Sequence, residues 1–116
     1  MKAIVKLVIL LFCVTAFSQG QQHVEYKKVS NNLIKATYYF ADNSNAIQSE
    51  GFFNDKNQLQ GMWVSYDTEG NKTIIAYYDK GKKVGVWTYF KDDKINFVTY
   101  KDNKLIGVEE KALVVN

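Results

Sequence analysis

Gly61-Met62-Trp63-Val64-Ser65-Tyr66 and Gly85-Val86-Trp87-Thr88-Tyr89-Phe90 are the two stretches that decide the fold of this chain. Their glycines stand 24 residues apart, and a fainter copy, Gly107-Val108-Glu109, follows 22 residues later. An aromatic residue and a polar turn precede each glycine: Phe53 then 54–60, Tyr78 then 79–84, Tyr100 then 101–106. Self-similarity at such a period marks stacked supersecondary units, each too small to bury its apolar face alone. A repeat of this kind predicts a surface rather than a reaction.

Outward from the repeat, the chain reads as short strands separated by turns. The expected strands are Val24–Val29, Leu33–Phe40, Ile47–Asn54, Met62–Asp67, Lys72–Tyr78, Val84–Lys91, Ile95–Tyr100 and Ile106–Glu110. They are rich in Tyr, Phe, Trp, Val, Ile and Thr, the residues that suit a pleated surface. Between them lie segments such as Asp67-Thr68-Glu69-Gly70-Asn71 and Asp79-Lys80-Gly81-Lys82, where Asn, Asp and Gly accept the positive φ of tight hairpins. The fold class expected is all-β: a meander of repeated antiparallel hairpins. The segment Ala112–Asn116 is expected to pair as a last edge strand.

Strand alternation puts Met62, Val64 and Tyr66 on one face, Trp63 and Ser65 on the other. In the next copy Val86, Thr88 and Phe90 oppose Trp87 and Tyr89. With bulky groups on both faces, the meander should either coil or serve as a binding platform. Gly61 and Gly85 suit a bulge, a positive φ, or a ring lying across the backbone. Trp63 and Trp87 have two readings: a ladder of core aromatics, the leading one, or an exposed strip for glycan, peptide or lipid headgroups. Gly61, Trp63, Tyr66, Gly85, Trp87, Tyr89 and Phe90 are therefore the residues expected to build the sheet or its binding face.

The N-terminus has the pattern of an export signal. Lys2 and Lys6 form a positive start, Leu7 to Phe17 is an uncharged and mostly apolar run, and Ala16 and Ser18 are small residues suited to cleavage before Gln19. The run falls short of the roughly 20 apolar residues that cross a bilayer. The expectation is a signal over 1–18, one β-repeat domain over 19–116 with its clear repeats at about 47–110, and no integral span once the signal is removed. Loss of Lys2 and Lys6 takes the formal charge from +3 to +1, and the chain has no Arg. Neither fact favours a nucleic-acid partner, for which Arg is the preferred contact. Cys13 leaves with the signal, so no disulfide staples the domain.

No constellation of reactive residues stands out. His23 is the only imidazole and lies in a polar lead. Asp92-Asp93 and Asp67-x-Glu69 lack the spaced oxygen ligands of a calcium loop. No serine sits in a nucleophile motif, and no glycine-rich run leads into a helix. Catalytic, cofactor and metal sites are accordingly expected to be absent.

The succession Gly51-Phe52-Phe53, Gly61-Met62-Trp63-Val64-Ser65-Tyr66, Gly70, Tyr78, Gly81-Lys82, Gly85-Val86-Trp87-Thr88-Tyr89 resembles the variant MORN repeat of bacterial proteins. The likeness covers about residues 47–110, and Glu109 stands where the third copy would carry its Trp. The layout, with Leu33-Ile34-Lys35-Ala36-Thr37-Tyr38-Tyr39 and Glu50-Gly51-Phe52-Phe53, also resembles short exported bacterial repeat proteins. Those are often labelled nicotinic acid mononucleotide adenylyltransferase, and related ones antitoxins. Adenylyltransferases of that type carry a paired-His signature on a Rossmann-like domain, and this chain has one His and no βαβ pattern. The reading is therefore a periplasmic or extracellular, non-enzymatic binding or scaffolding module for a protein, glycan or envelope component, with the enzyme or antitoxin of the labels as what the resemblance alone implies. A structural protein acting by β-edge pairing is the alternative.

Overall fold

The computed structural model describes residues 22–42 and 45–113. The expected signal, 1–18, lies outside them. The described chain forms one open antiparallel sheet from nine strands: β1 Val24–Ser30, β2 Leu33–Tyr39, β3 Ile47–Asn54, β4 Leu59–Tyr66, β5 Lys72–Asp79, β6 Lys82–Lys83, β7 Gly85–Lys91, β8 Lys94–Lys101 and β9 Lys104–Ala112. Their order is β1-β2-β3-β4-β5-β7-β8-β9, with β6 paired on β5, so the edges are β1 and β9. The all-β hairpin meander is thus the fold of the molecule.

Three departures from the sequence reading are larger than a one-residue shift, each for a local reason. β4 starts at Leu59 instead of Met62, because Leu59-Gln60 pair with Phe53-Phe52 although they read as part of a polar turn. The strand expected over Val84–Lys91 is β7, from Gly85, and the Lys82-Lys83 pair ahead of it forms the short β6 against β5, separated from β7 by an irregularity around Val84 and Gly85. The last strand spans Lys104–Ala112 instead of Ile106–Glu110, since a two-residue turn at Asp102-Asn103 lets pairing begin at once, and of the segment expected to pair at the edge, 112–116, it includes Ala112. Residues 114–116 lie outside the description.

The turns explain the tight reversals. Lys80 and Gly81 both have positive φ, as do Asp102 and Asn103, the signature of the hairpin turn whose twist matches that of its strands. The 54–58 and 67–71 loops share another device. Asn54 Oδ1 accepts from the amides of Lys56 (2.9 Å) and Gln58 (3.0 Å), and Asp67 Oδ1 from those of Glu69 and Asn71 (both 2.9 Å). Asn57 and Gly70 then take the left-handed conformation. The amide of Asn71, ahead of that of Glu69, holds the Asp67 carboxyl below its ordinary range.

A single sheet has no second layer, and its core is thin. Among the described residues, the buried hydrophobic side chains are Ala36, Val64, Ala76 and Trp87. Cohesion therefore rests on cross-strand neighbours, the unit of stabilisation in a sheet, and on the repeat contacts described next.

Candidate functional site

Across the sheet runs a row of paired positions on one face: Ala36 opposite Gly51, Trp63 opposite Ala76, Trp87 opposite Val98. Trp63 and Trp87 each bridge back to the preceding strand. The Trp63 indole N–H donates to the Phe52 carbonyl (3.0 Å), and that of Trp87 to the Tyr77 carbonyl (3.1 Å). Phe53 meets Trp63 edge-on at 5.3 Å, and Tyr78 meets Trp87 edge-on at the same distance. The two units are built alike.

Glycine makes the geometry possible. Gly61 (φ 74°) and Gly85 (φ 72°) lie in the left-handed region. Between the Phe52–Gln60 and Glu50–Val64 pairs, β3 has one residue, Gly51, while β4 has three, Gly61 to Trp63. The same surplus recurs opposite Ala76, where β7 inserts Gly85 to Trp87. This wide bulge swings the indole over the preceding strand. Trp63 in fact lies on Gly51 so closely that a Cβ there would come within 1.9 Å of its Cδ2. On the other face Phe52 lies over Gly61 and Tyr77 over Gly85.

Gly107 departs from the pattern. Its φ is not positive, and β9 shows a single register shift, at Thr99/Tyr100, before Val98 pairs with Val108. The third copy therefore continues as ordinary strand, and Glu109 pairs with Phe97 instead of folding back.

The residues singled out by sequence fall into two groups. Trp87 is buried and Tyr89 packs on it at 6.2 Å, while Tyr100 approaches to 5.0 Å on the far side. Lys83 Nζ lies over the Trp87 and Tyr100 rings at 5.1 and 5.0 Å, a cation–π contact the sequence did not signal. Burial pushes the Tyr89 hydroxyl up to about 12, helped by its bond with Tyr100. Trp63 is half-buried between Tyr38 (6.2 Å) and Phe53, and burial likewise pushes Tyr38 up to about 12. Tyr66 and Phe90 project to the opposite face. There the Tyr66 hydroxyl donates to Glu50 (3.1 Å), which also pairs with Lys35 at 3.5 Å.

The opposite face carries what the residue-by-residue reading missed. Met62 pairs with Tyr77, Tyr77 lies over Gly85 beside Val86, and Val86 pairs with Thr99. Met62, Tyr77 and Val86 are 46%, 38% and 46% exposed. On this face the row runs on through Thr99 to Gly107 at the rim, whereas the more exposed Leu105 and Val108 of β9 pair with Tyr100 and Val98 on the tryptophan face. The signal for it was present in the x of each Gly-x-Trp: Met62 and Val86 are apolar at positions that alternation turns away from the tryptophans.

Among the described residues, no group of His, Cys, Asp and Glu could hold a metal ion, and no helix is long and apolar enough to cross a membrane. His23 contacts Glu25 at 3.4 Å on the exposed first strand. No family model, curated protein or solved structure matches the chain.

Proposed function

We propose that the protein is an exported, non-enzymatic binding module of variant MORN-like repeats, whose working surface is the sheet face opposite the tryptophans. The observation that carries this is the exposed row Met62, Tyr77 and Val86, continued by Thr99. The tryptophan face is occupied by its own repeat contacts, with Trp87 only 6% exposed. The opposite face instead offers apolar side chains in line, flanked by the Lys35–Glu50 pair. Contiguous apolar surface with a polar border suits a protein partner. Export, with removal of 1–18, places that partner in the periplasm or outside the cell.

A photo-crosslinking side chain at position 77, introduced in the producing cell, tests the surface. The expected result is one discrete adduct that disappears when Met62→Lys or Val86→Lys is added. An adduct that survives both substitutions, or none at all, overturns the assignment of this face.

A further inference from the structure

We propose that copies of this chain join head to tail, β1 of one against β9 of the next, in one register set by charge and by the phase of the backbone hydrogen bonds. This goes beyond the face binding above and uses different residues. The Tyr39 amide donates to the His23 carbonyl, so His23 turns its backbone groups toward β2. Alternation along an antiparallel ladder then turns those of Val24, Tyr26 and Lys28 outward. At the other rim the Leu113 amide donates to the Asp93 carbonyl. The same alternation, through the unbroken register from Lys94↔Ala112 to Thr99↔Gly107, turns those of Val108, Glu110 and Ala112 outward.

Because β1 and β9 are the first and last of eight strands on an alternating path, a translated copy presents β1 antiparallel to β9 with its faces preserved. Outward groups can meet only if Val24, Tyr26 and Lys28 face Val108, Glu110 or Ala112. Three near-full overlaps satisfy this. With Tyr26 opposite Val108, Glu25 meets Glu109. With Tyr26 opposite Ala112, Lys27 meets Lys111. With Tyr26 opposite Glu110, Glu25 meets Lys111 and Lys27 meets Glu109, while Val24 faces Ala112 and Lys28 faces Val108. Like charges directly opposite destabilise a pair and opposite charges favour it, so the third register is selected. Val24, Tyr26 and Lys28 would each exchange two backbone bonds with their partners.

The Glu25 carboxylate accepts from the Tyr39 hydroxyl of β2 at 2.9 Å, a bond it would share with Lys111 of the added copy. β9 against itself is disfavoured: aligning its outward groups around Glu109 or Glu110 sets each glutamate on its own copy. The exposed apolar residues of β9, with no second neighbour in the sheet, mark this rim as the one an added strand would cover.

Charge exchange tests the register. One variant carries Glu25→Lys and Lys27→Glu; a second carries Glu109→Lys and Lys111→Glu. All four residues are exposed, and circular dichroism checks that both variants fold. In sedimentation velocity the wild type should show a mass that rises with concentration past twice the monomer. Each variant alone should assemble more weakly than the wild type, since its charges repel in this register and leave only the slipped ones with a single opposite pair, and an equimolar mixture should recover wild-type assembly, because reversed β1 then meets reversed β9. Met62→Lys should leave assembly intact, which separates this interface from the binding face. A wild type that stays monomeric or stops at a dimer would overturn the proposal. So would a first variant that assembles as strongly as the wild type, the result expected if β1 pairs with β1 through Glu25 and Lys27, or a mixture no stronger than either variant alone.

Discussion

Gly51→Ala puts the repeat contact to its most direct test. A Cβ at residue 51 would lie 1.9, 2.2 and 2.3 Å from Trp63 Cδ2, Cε2 and Cγ. Carbon atoms in good contact are about 3.5–4.0 Å apart, so the indole must retreat by roughly 1.5–2 Å. Two limits bound the cost. If the ring shifts and stays docked, the penalty is that of overpacking, about 1–3 kcal/mol. If it is expelled, the bond to the Phe52 carbonyl and the burial between Tyr38 and Phe53 go too, and the loss approaches the roughly 3–5 kcal/mol of a Trp truncation. The second unit shows which limit is nearer. Ala76 occupies the place of Gly51 beside Trp87, so the same frame holds an indole next to a methyl group. Relaxation toward that arrangement predicts about 2–3 kcal/mol, the upper part of the overpacking range. Urea unfolding measures it, with the slope unchanged if the unfolded state is unaffected. The cost should nearly vanish in a Trp63→Ala background, since the two residues then no longer meet. A shift below about 0.5 kcal/mol, the range of ordinary surface changes, would refute the close overlay of Trp63 on Gly51.

The remaining expectations are shorter. Trp87→Ala should cost roughly 3–5 kcal/mol in the same assay and more than Trp63→Ala, because Trp87 is the more buried ring; equal or reversed costs would contradict the packing. Tyr38 and Tyr89 titrate at about 12 in the folded chain against an ordinary value of 10.0, so the neutral phenols favour the native state. Their contribution is full below pH 10 and is lost as pH rises through about 12. Tyr38→Phe and Tyr89→Phe should each flatten that alkaline loss, as read by circular dichroism; unchanged pH profiles would remove these phenols as its cause. Intact-mass spectrometry of the exported protein should find residues 1–18 gone, and retention of Met1 would end the export argument. Purified protein with ATP, magnesium and nicotinate mononucleotide should form no dinucleotide; product that scales with protein through repurification would reverse the non-enzymatic assignment.

Most of the sheet was legible because its signals are local. Aromatic and β-branched runs between Asn, Asp and Gly turns placed the eight main strands, and β3 was located to the residue. What escaped depends on pairing between segments. Nothing in Leu59-Gln60 alone reveals that they continue β4; the Asn54 side chain makes that possible by closing a five-residue loop ahead of them. The φ of Gly51 is not in the left-handed region, and what requires glycine there is a ring from the next strand. Lys83 read as part of a charged hairpin tip, but the bulge at Gly85 brings its ammonium over Trp87 and Tyr100. The candidate site was least legible because exposure follows from what does not pack. Alternation correctly separates Met62 and Val86 from the tryptophans, but only an open, single-layer sheet leaves them facing solvent.

The third copy shows how such an array stops propagating its own contacts. In the first two units a left-handed glycine, a wide bulge and a Trp act together, and each indole needs a small residue, Gly51 or Ala76, beneath it. The corresponding residue in β8 is Val98, whose branched side chain fills the space an incoming ring would take. With Glu109 in place of Trp, no indole pulls the chain back, and Gly107 relaxes out of the left-handed region. β9 can then run in unbroken register from Gly107 to Ala112, with a single register shift before it, instead of breaking into a two-residue strand, a bulge and a longer strand as the second unit does. A straight strand keeps its outward N–H and C=O groups in regular phase, which a wide bulge would interrupt. The two substitutions that end the tryptophan ladder, Val98 and Glu109, are thus the same ones that leave a pairing edge in regular phase from Gly107 to Ala112.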